Sequence, residues 1–225
     1  MKLTVSKKAS DIQDQGNGGG FINKSGIYDV TLNYVQVATS KGGANQLNFN
    51  VTHNGQDQTI YGPYLTNKQG DINDITMGLL NRLCIVAGMA DGQEIETETV
   101  DMPVGKDRKI VEMEVIPDLT ELDLKMRVQM EYSIWDNNIQ ERKNIKAFYR
   151  ADGATAAEAE SGENIGRRIA IDEDKYANNV TYKDGLTEEA IQEWIKERSN
   201  NKGAPAKAAA PAAKTTAKRP LFGQK

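Results

Sequence analysis

Leu122-Asp123-Leu124-Lys125-Met126-Arg127-Val128-Gln129-Met130-Glu131-Tyr132-Ser133-Ile134 is the stretch that decides the fold. Every even-numbered residue in it is apolar or aromatic, and every odd-numbered one is polar. A period of two sustained over this length is a β-strand with one face on a core and the other outside. Lys125, Arg127 and Gln129 then lie on the outer face, and Trp135 ends the strand. The turn residues Asp136-Asn137-Asn138 lead to a further strand, Asn144 to Arg150. With Ile145, Ala147 and Tyr149 inward, Lys146, Phe148 and Arg150 turn outward, which sets an aromatic between two cations.

Upstream the same period recurs. Tyr28, Val30, Leu32 and Tyr34 alternate with Asp29, Thr31 and Asn33, after which Val35 and Val37 switch phase, as a β-bulge produces. Lys41-Gly42-Gly43 is a turn; Leu47, Phe49 and Val51 form a second strand; and Asn54-Gly55 signals a hairpin into a strand around Thr59-Ile60-Tyr61. A helical run follows, roughly Ile72 to Met89, with Ile75, Leu79, Leu80, Leu83, Cys84 and Val86 at three-and-four spacing behind a cap at Asp71 or Asn73. Strands resume at Ile110 to Ile116. The predicted class is mostly β: an OB-like antiparallel barrel with one helix in the middle connection, then a C-terminal helix and a disordered tail. The helix after the third strand favours this over a sandwich or jelly roll.

Composition divides the chain further. Residues 1 to 20, with Gly16-Asn17-Gly18-Gly19-Gly20, read as a flexible lead; the folded module runs from 21 to 150; residues 151 to 201 read as a linker and a helix over Thr187 to Arg198. Residues 202 to 225 carry six basic residues and no acid in a run of Ala, Pro, Lys, Thr and Gly, too poor in apolar surface to fold. The preceding residues are acidic on balance, with 16 basic against 20 acidic residues over 1 to 150. That argues against a wide basic surface of the kind that wraps duplex DNA, and is compatible with a narrow basic and aromatic groove.

The same census is poor in reactive groups. The chain has one histidine, His53, and one cysteine, Cys84, so a zinc or other transition-metal site lacks its ligands and an internal disulfide is excluded. His53 sits in a hairpin turn and reads as a solvated polar residue, and Cys84 reads as a small buried hydrophobe. Glu94, Glu96 and Glu98 alternate like a solvated edge strand rather than a Mg²⁺ site. No P-loop, GxGxxG or EF-hand pattern occurs, no apolar run approaches the ~20 residues of a membrane helix, and the N-terminus lacks a secretory signal. The expectation is a cytoplasmic, non-enzymatic protein without cofactor or metal.

Gly26-Ile27-Tyr28-Asp29-Val30, followed by Lys41-Gly42-Gly43-Ala44 and Leu47-Asn48-Phe49, resembles the opening hairpin of bacteriophage single-stranded-DNA-binding replication proteins. Glu141 to Arg150 followed by Gly153-Ala154-Thr155-Ala156-Ala157-Glu158 is similar to the last strand and exit of that group. The resemblance covers roughly residues 20 to 165. It implies an OB-fold, binding to single strands with low sequence specificity, and action in phage replication, recombination or transcription in the host cytoplasm. Many such proteins end in an acidic tail that recruits partner enzymes; this one is basic.

The candidate contacts to single-stranded DNA are Lys41, Tyr61, Tyr64, Lys125, Arg127, Trp135, Arg142, Lys143, Lys146, Phe148 and Arg150, with Lys207, Lys214, Lys218, Arg219 and Phe222 in the tail. The residue types suit the ligand: cations track phosphates while an exposed ring stacks a base, worth ~1–3 kcal/mol. The alternative function is a phage transcription cofactor or interaction protein that docks on a phage or host polymerase through the tail segment Arg219 to Phe222. Homo-oligomerisation, for which Trp194 is a candidate contact, stays open.

Overall fold

A computed structural model describes residues 20–104, 109–176 and 178–201. Its elements are β1 (Gly26–Thr39), β2 (Asn45–His53), β3 (Gln56–Tyr64), α1 (Asp74–Val86), β4 (Glu98–Val104) and β5 (Lys109–Val115). A 3-10 turn (Pro117–Leu119) leads to β6 (Leu122–Trp135), β7 (Asn138–Arg150), α2 (Ala156–Ser161), α3 (Arg167–Tyr176), β8 (Thr181–Tyr182) and α4 (Glu188–Asn201). Strand at 44% against helix at 25% makes the protein mostly β, as expected. The tail residues Lys207, Lys214, Lys218, Arg219 and Phe222 lie outside the described residues.

The described strands form one sheet, antiparallel except where β8 pairs parallel to β6. β3 pairs with β2, β2 with β1, β1 with β6 over Gly26 to Leu32, and β6 with β7. The far end of β1 leaves β6 for β5, through Gln36 and Val115, and β5 carries β4 as a hairpin. Glu98 opens β4, whereas Glu94 and Glu96 precede it in a loop.

The core is what the alternation wrote. Leu124, Met126, Val128, Met130 and Tyr132 of β6 are buried, and the first three join Val30, Leu32, Val35, Leu47, Phe49, Val51 and Ile60 in one apolar cluster. Burying side chains of this size removes roughly 1.5–3 kcal/mol each from the unfavourable side of folding. Ile134, expected inside, is 42% exposed, because β6 and β7 run on together as a two-stranded extension there. Helix α1 covers the same cluster with Leu79, Leu80, Leu83, Cys84 and Val86. Asn73 caps it, its Oδ1 accepting from the backbone N–H groups of Ile75 and Thr76 at 3.1 and 3.3 Å. Ile75 falls outside the buried face and is 85% exposed. Burial pushes the Cys84 thiol up to about 11, aided by Asp118, so the residue is a packed hydrophobe at neutral pH.

Bulges decide which side chains leave the core. In β1 the register shifts between Leu32 and Tyr34, so that Leu32 and Val35 are both buried while Asn33 and Tyr34 both face outward. The phase switch was expected at Val35; it occurs at Asn33, and it transfers Tyr34 from the core to the outer face. In β7 the shift falls at Lys146, since Val128 pairs with Ile145 and Arg127 with Ala147. Ile145 and Phe148 therefore share the core face despite a spacing of three.

The compact unit extends to Gly185, beyond the boundary expected at Arg150. Residues 151 to 185 are not a linker. The Tyr149 hydroxyl donates to Asp172 of α3 at 2.6 Å, and the backbone N–H of Lys183 donates to the carbonyl of Tyr132 at 2.9 Å. A capping box at Thr155 and Glu158 starts α2, and the Glu158 carboxylate also accepts from the Arg168 backbone N–H at 2.9 Å. The second unit begins at Leu186 and contains α4, which starts as its sequence predicts: the Thr187 hydroxyl accepts from the Ala190 backbone N–H at 3.3 Å. Within it the Arg198 guanidinium lies 5.1 Å over the Trp194 ring. Among the described residues no helix is long and apolar enough to cross a membrane.

Candidate nucleic-acid interface

The predicted contacts divide between two outer faces of the sheet, and the two differ in what covers them. On β6 and β7 the expected Lys-Phe-Arg surface does not form. Phe148 is 3% exposed, with its ring 5.5 Å from Phe49 in the core. Tyr149, expected in that core, is fully buried on the opposite face beneath α3, where burial and the Asp172 hydrogen bond push its hydroxyl far above its ordinary value. The cause of both corrections is the bulge at Lys146, which flips the phase of the last residues of β7.

Four of the six candidate cations of that region have partners within the protein. Lys125 pairs with Asp29, and the Arg127 guanidinium stacks 4.2 Å over Tyr176. Next along β6, the Gln129 amide donates to the Thr181 hydroxyl at 3.0 Å, and Glu131 pairs with Lys183 at 2.9 Å. Arg150 forms a forked pair with Asp152, its Nε 3.0 Å and its Nη2 2.5 Å from the two carboxylate oxygens. Lys143 is half-buried with its ammonium 3.4 Å from the Gln58 side-chain oxygen, and burial lowers its pKa against the opposing pull of Glu141. Arg142, Lys146 and Trp135 are exposed, Trp135 to 72%, but they are spread along the β6–β7 extension and its bulge.

The outer face of β1, β2 and β3 carries two exposed rings over an amide row whose central residue, Asn48, is itself buried. Tyr61 pairs with Asn48 and Tyr64 with Gln46, two positions apart on β2, so both tyrosines project from one side although they stand three positions apart on β3. Gly62 and Pro63 together stand opposite the single Leu47, and that one extra residue makes this so. Gly62 is obligatory: a Cβ there would sit 2.4 Å from the Leu47 carbonyl oxygen and 2.6 Å from the Phe49 ring. Tyr61 is 71% and Tyr64 49% exposed. Tyr34 joins them across the sheet through Asn50; burial against this surface raises its pKa, with Asp57 adding to the effect.

Between the rings lies a floor of amides. Gln36, Gln46, Asn48 and Asn50 occupy the outward positions of β1 and β2. They hold one another in place: the Asn48 Nδ2 donates to the Gln36 oxygen at 3.2 Å, and Asn33 donates to the Asn50 oxygen at 2.8 Å. The Gln46 Nε2 donates to the Gly62 carbonyl at 2.8 Å, which ties the floor to the bulge. A floor of neutral hydrogen-bonding groups between exposed rings suits flat, polar-edged bases better than a lipid or an apolar peptide.

The face ends at the β1–β2 turn beside a cleft of about 470 Å³ bordered by Ser40, Ala44, Tyr64 and Asn67, with the exposed Lys41 and Lys68 next in sequence to its lining residues. Lys68 belongs there because its carbonyl approaches Gly43 of the turn, 3.8 Å from where a Cβ would stand. The structure thus brings Tyr61 and Tyr64 of the predicted set to one side of the sheet, with Lys41 in the turn whose Ser40 and Ala44 border the same cleft as Tyr64. It adds Tyr34, Lys68 and the amide row, which the sequence reading passed over. The signal for the row was in the sequence, as Gln46, Asn48, Asn50 and Thr52 alternate with the buried Leu47, Phe49 and Val51. His53 is structural: its Nδ1 donates to the Asp29 carbonyl at 2.8 Å, and its ring meets Tyr28 edge-on at 5.2 Å.

No protein-family model matches the chain, and no curated protein sequence matches it.

Proposed function

We propose that the protein is a non-enzymatic single-stranded-DNA-binding protein of the OB type, and that the strand is held on the outer face of β1, β2 and β3. The observation that carries this reading is the pair of exposed rings, Tyr61 and Tyr64, turned to one side by the Gly62–Pro63 bulge over an amide floor. Bases stack on such rings whatever their identity, while Lys41 and Lys68 at the end of the face attract phosphates. Binding is of low sequence specificity overall and salt-sensitive, and the acidic remainder of the molecule disfavours duplex wrapping.

The OB assignment is supported by the order of pairing, β3-β2-β1-β6-β7, with α1 following the third strand. Contact between the two outer strands of that series, Lys143 of β7 with Gln58 of β3, is the approach expected of a partly open five-stranded barrel, and the Phe148 ring of β7 packs on Phe49 of β2 beneath it. In such barrels the face of the second and third strands is the customary seat of oligonucleotides. The resemblance to phage replication proteins adds a role in phage replication, recombination or transcription.

Fluorescence anisotropy of labelled single- and double-stranded oligonucleotides at two salt concentrations tests the reading, with the full chain, a chain ending at Asn201, and a Tyr61→Ala/Tyr64→Ala variant. Salt-sensitive preference for single strands that survives truncation and falls in the double variant is the expected result. Binding lost with the tail and unaffected by the tyrosines would replace it with an interaction protein that docks through a basic arm.

A further inference from the structure

The cleft beside Tyr64 has a chemical character different from the face that leads to it. Its border includes Tyr64, Thr66, Asn67, Asp71 and Ile72. The lining thus includes an aromatic residue, an aliphatic one, Ile72, that is 61% exposed, and an acidic one. At about 470 Å³ the space lies within the range of small-ligand pockets and exceeds what one nucleobase fills.

The wall bearing the carboxylate is stiff. The Asn67 side-chain oxygen accepts from the backbone N–H groups of Gln69 and Asp71, both at 2.9 Å, and its amide donates to Asp71 Oδ2, also at 2.9 Å. The Asn67 backbone N–H donates to the Asp71 carbonyl at 3.0 Å, and Thr66 pairs with Ile72 across the loop. Gly70, at φ +91, closes the turn. The Asn67 amide thus holds one oxygen of the Asp71 carboxylate, and each of its oxygens has lone pairs for more than one donor.

A carboxylate in a cleft on the path of a polyanion repels phosphate, so Lys41 and Lys68 outside the cleft, and not Asp71, are the groups suited to the backbone. What Asp71 attracts is a pair of N–H donors. Among the four bases only guanine offers two adjacent donors, N1–H and the N2 amino group, along its pairing edge. Adenine and cytosine set one amino group beside a ring-nitrogen acceptor, and thymine sets one N–H between two carbonyls. We infer that the cleft between Tyr64 and Asp71 takes a single unstacked nucleobase from the bound strand and selects guanine. The inference rests on the single-strand reading above and gives one position of an otherwise sequence-tolerant site a base preference.

The test is anisotropy with the full chain and thymine oligonucleotides of about 12 nucleotides, within the span such folds cover, each carrying one central guanine, adenine, cytosine or inosine. A single guanine is expected to tighten binding about tenfold over all-thymine, as a two-bond base contact does. Inosine, which lacks the N2 amino group, loses most of that gain, and in Asp71→Asn the guanine-to-thymine ratio falls to about one. Equal affinity for all bases, or a guanine preference that persists in Asp71→Asn, overturns the inference. If equal affinity is accompanied by dependence on Tyr61, the single-strand reading stands without the guanine site; if no oligonucleotide binds, both fall.

Discussion

The outer face of β1–β2–β3 and the outer face of β6–β7 start from similar sequence and end in opposite states. Both alternate apolar with polar residues, and both carry aromatic and basic side chains on the polar side. On β6–β7 the chain returns after Arg150 and lays α3 and β8 over its own cations, so Arg127 meets Tyr176 and Tyr149 meets Asp172. On β1–β2–β3 nothing in the described residues of the same unit pairs with Tyr61 on its outer side, and the ring stays 71% exposed. The richer cation signal marks the face that the protein uses for its own stability. The quieter one, amides and two tyrosines, keeps its rings exposed, which is why we propose it as the binding face.

The largest expected effect that tests this contrast is on stability. Phe148→Ala opens a core position and costs about 3–5 kcal/mol, read as a lower denaturant midpoint, with the affinity of the folded fraction for single strands unchanged. An affinity loss without a stability loss would restore β7 as the contact face. Next come the open rings: Tyr61→Ala and Tyr64→Ala each cost ~1–3 kcal/mol of binding, a factor of about five or more in Kd. Lys125→Ala and Arg127→Ala are expected to change affinity less than either tyrosine variant, and a reversed ranking in the same titration would break the comparison.

The covered face has a pH signature. The Tyr149 pKa is raised by burial and then by Asp172, so its contribution to stability is complete below the ordinary tyrosine value near 10 and is lost as pH rises through the higher folded value. Tyr149→Phe is expected to cost about 1–3 kcal/mol by leaving the buried Asp172 without its hydroxyl donor, and to flatten the alkaline limb of a melting-temperature profile. The smallest effect concerns Glu158. Burial pushes its pKa up, but the hydrogen bonds from Thr155 and the Arg168 backbone outweigh this and leave it lowered. Its contribution is present above the ordinary carboxylate range and is lost as pH falls through the folded value. Glu158→Gln is expected to cost about 1 kcal/mol near neutrality and to make the acid limb shallower.

Much of the fold was legible because burial and period agree over long segments. The even residues of β6 had one consistent partner set, Asn54-Gly55 fixed a hairpin, and Asn73 and Thr187 capped the helices that follow them. The site was legible only in part. Lys41, Tyr61 and Tyr64 were chosen for being rings and a cation near turns, and the two rings project from one side of the sheet. Phe148 was assigned the wrong face because a bulge adds one residue without leaving a mark that alternation can register. Tyr34 escaped for the same reason, one residue past a bulge at Asn33. The partners of Arg127 and Arg150, Tyr176 and Asp152, are contacts of geometry and not of pattern, so alternation alone does not reveal them.

By itself, then, the sequence determined a mostly-β core, the order of β1, β2, β3, α1, β5, β6 and β7 within it, and a poverty of reactive groups, since these depend on residue type and local period. The tertiary structure alone decided which polar face is covered. That choice depends on where two bulges fall and on where residues 151 to 185 come to rest. Both are settled by the packing of segments distant in the chain, to which a local period of two is blind.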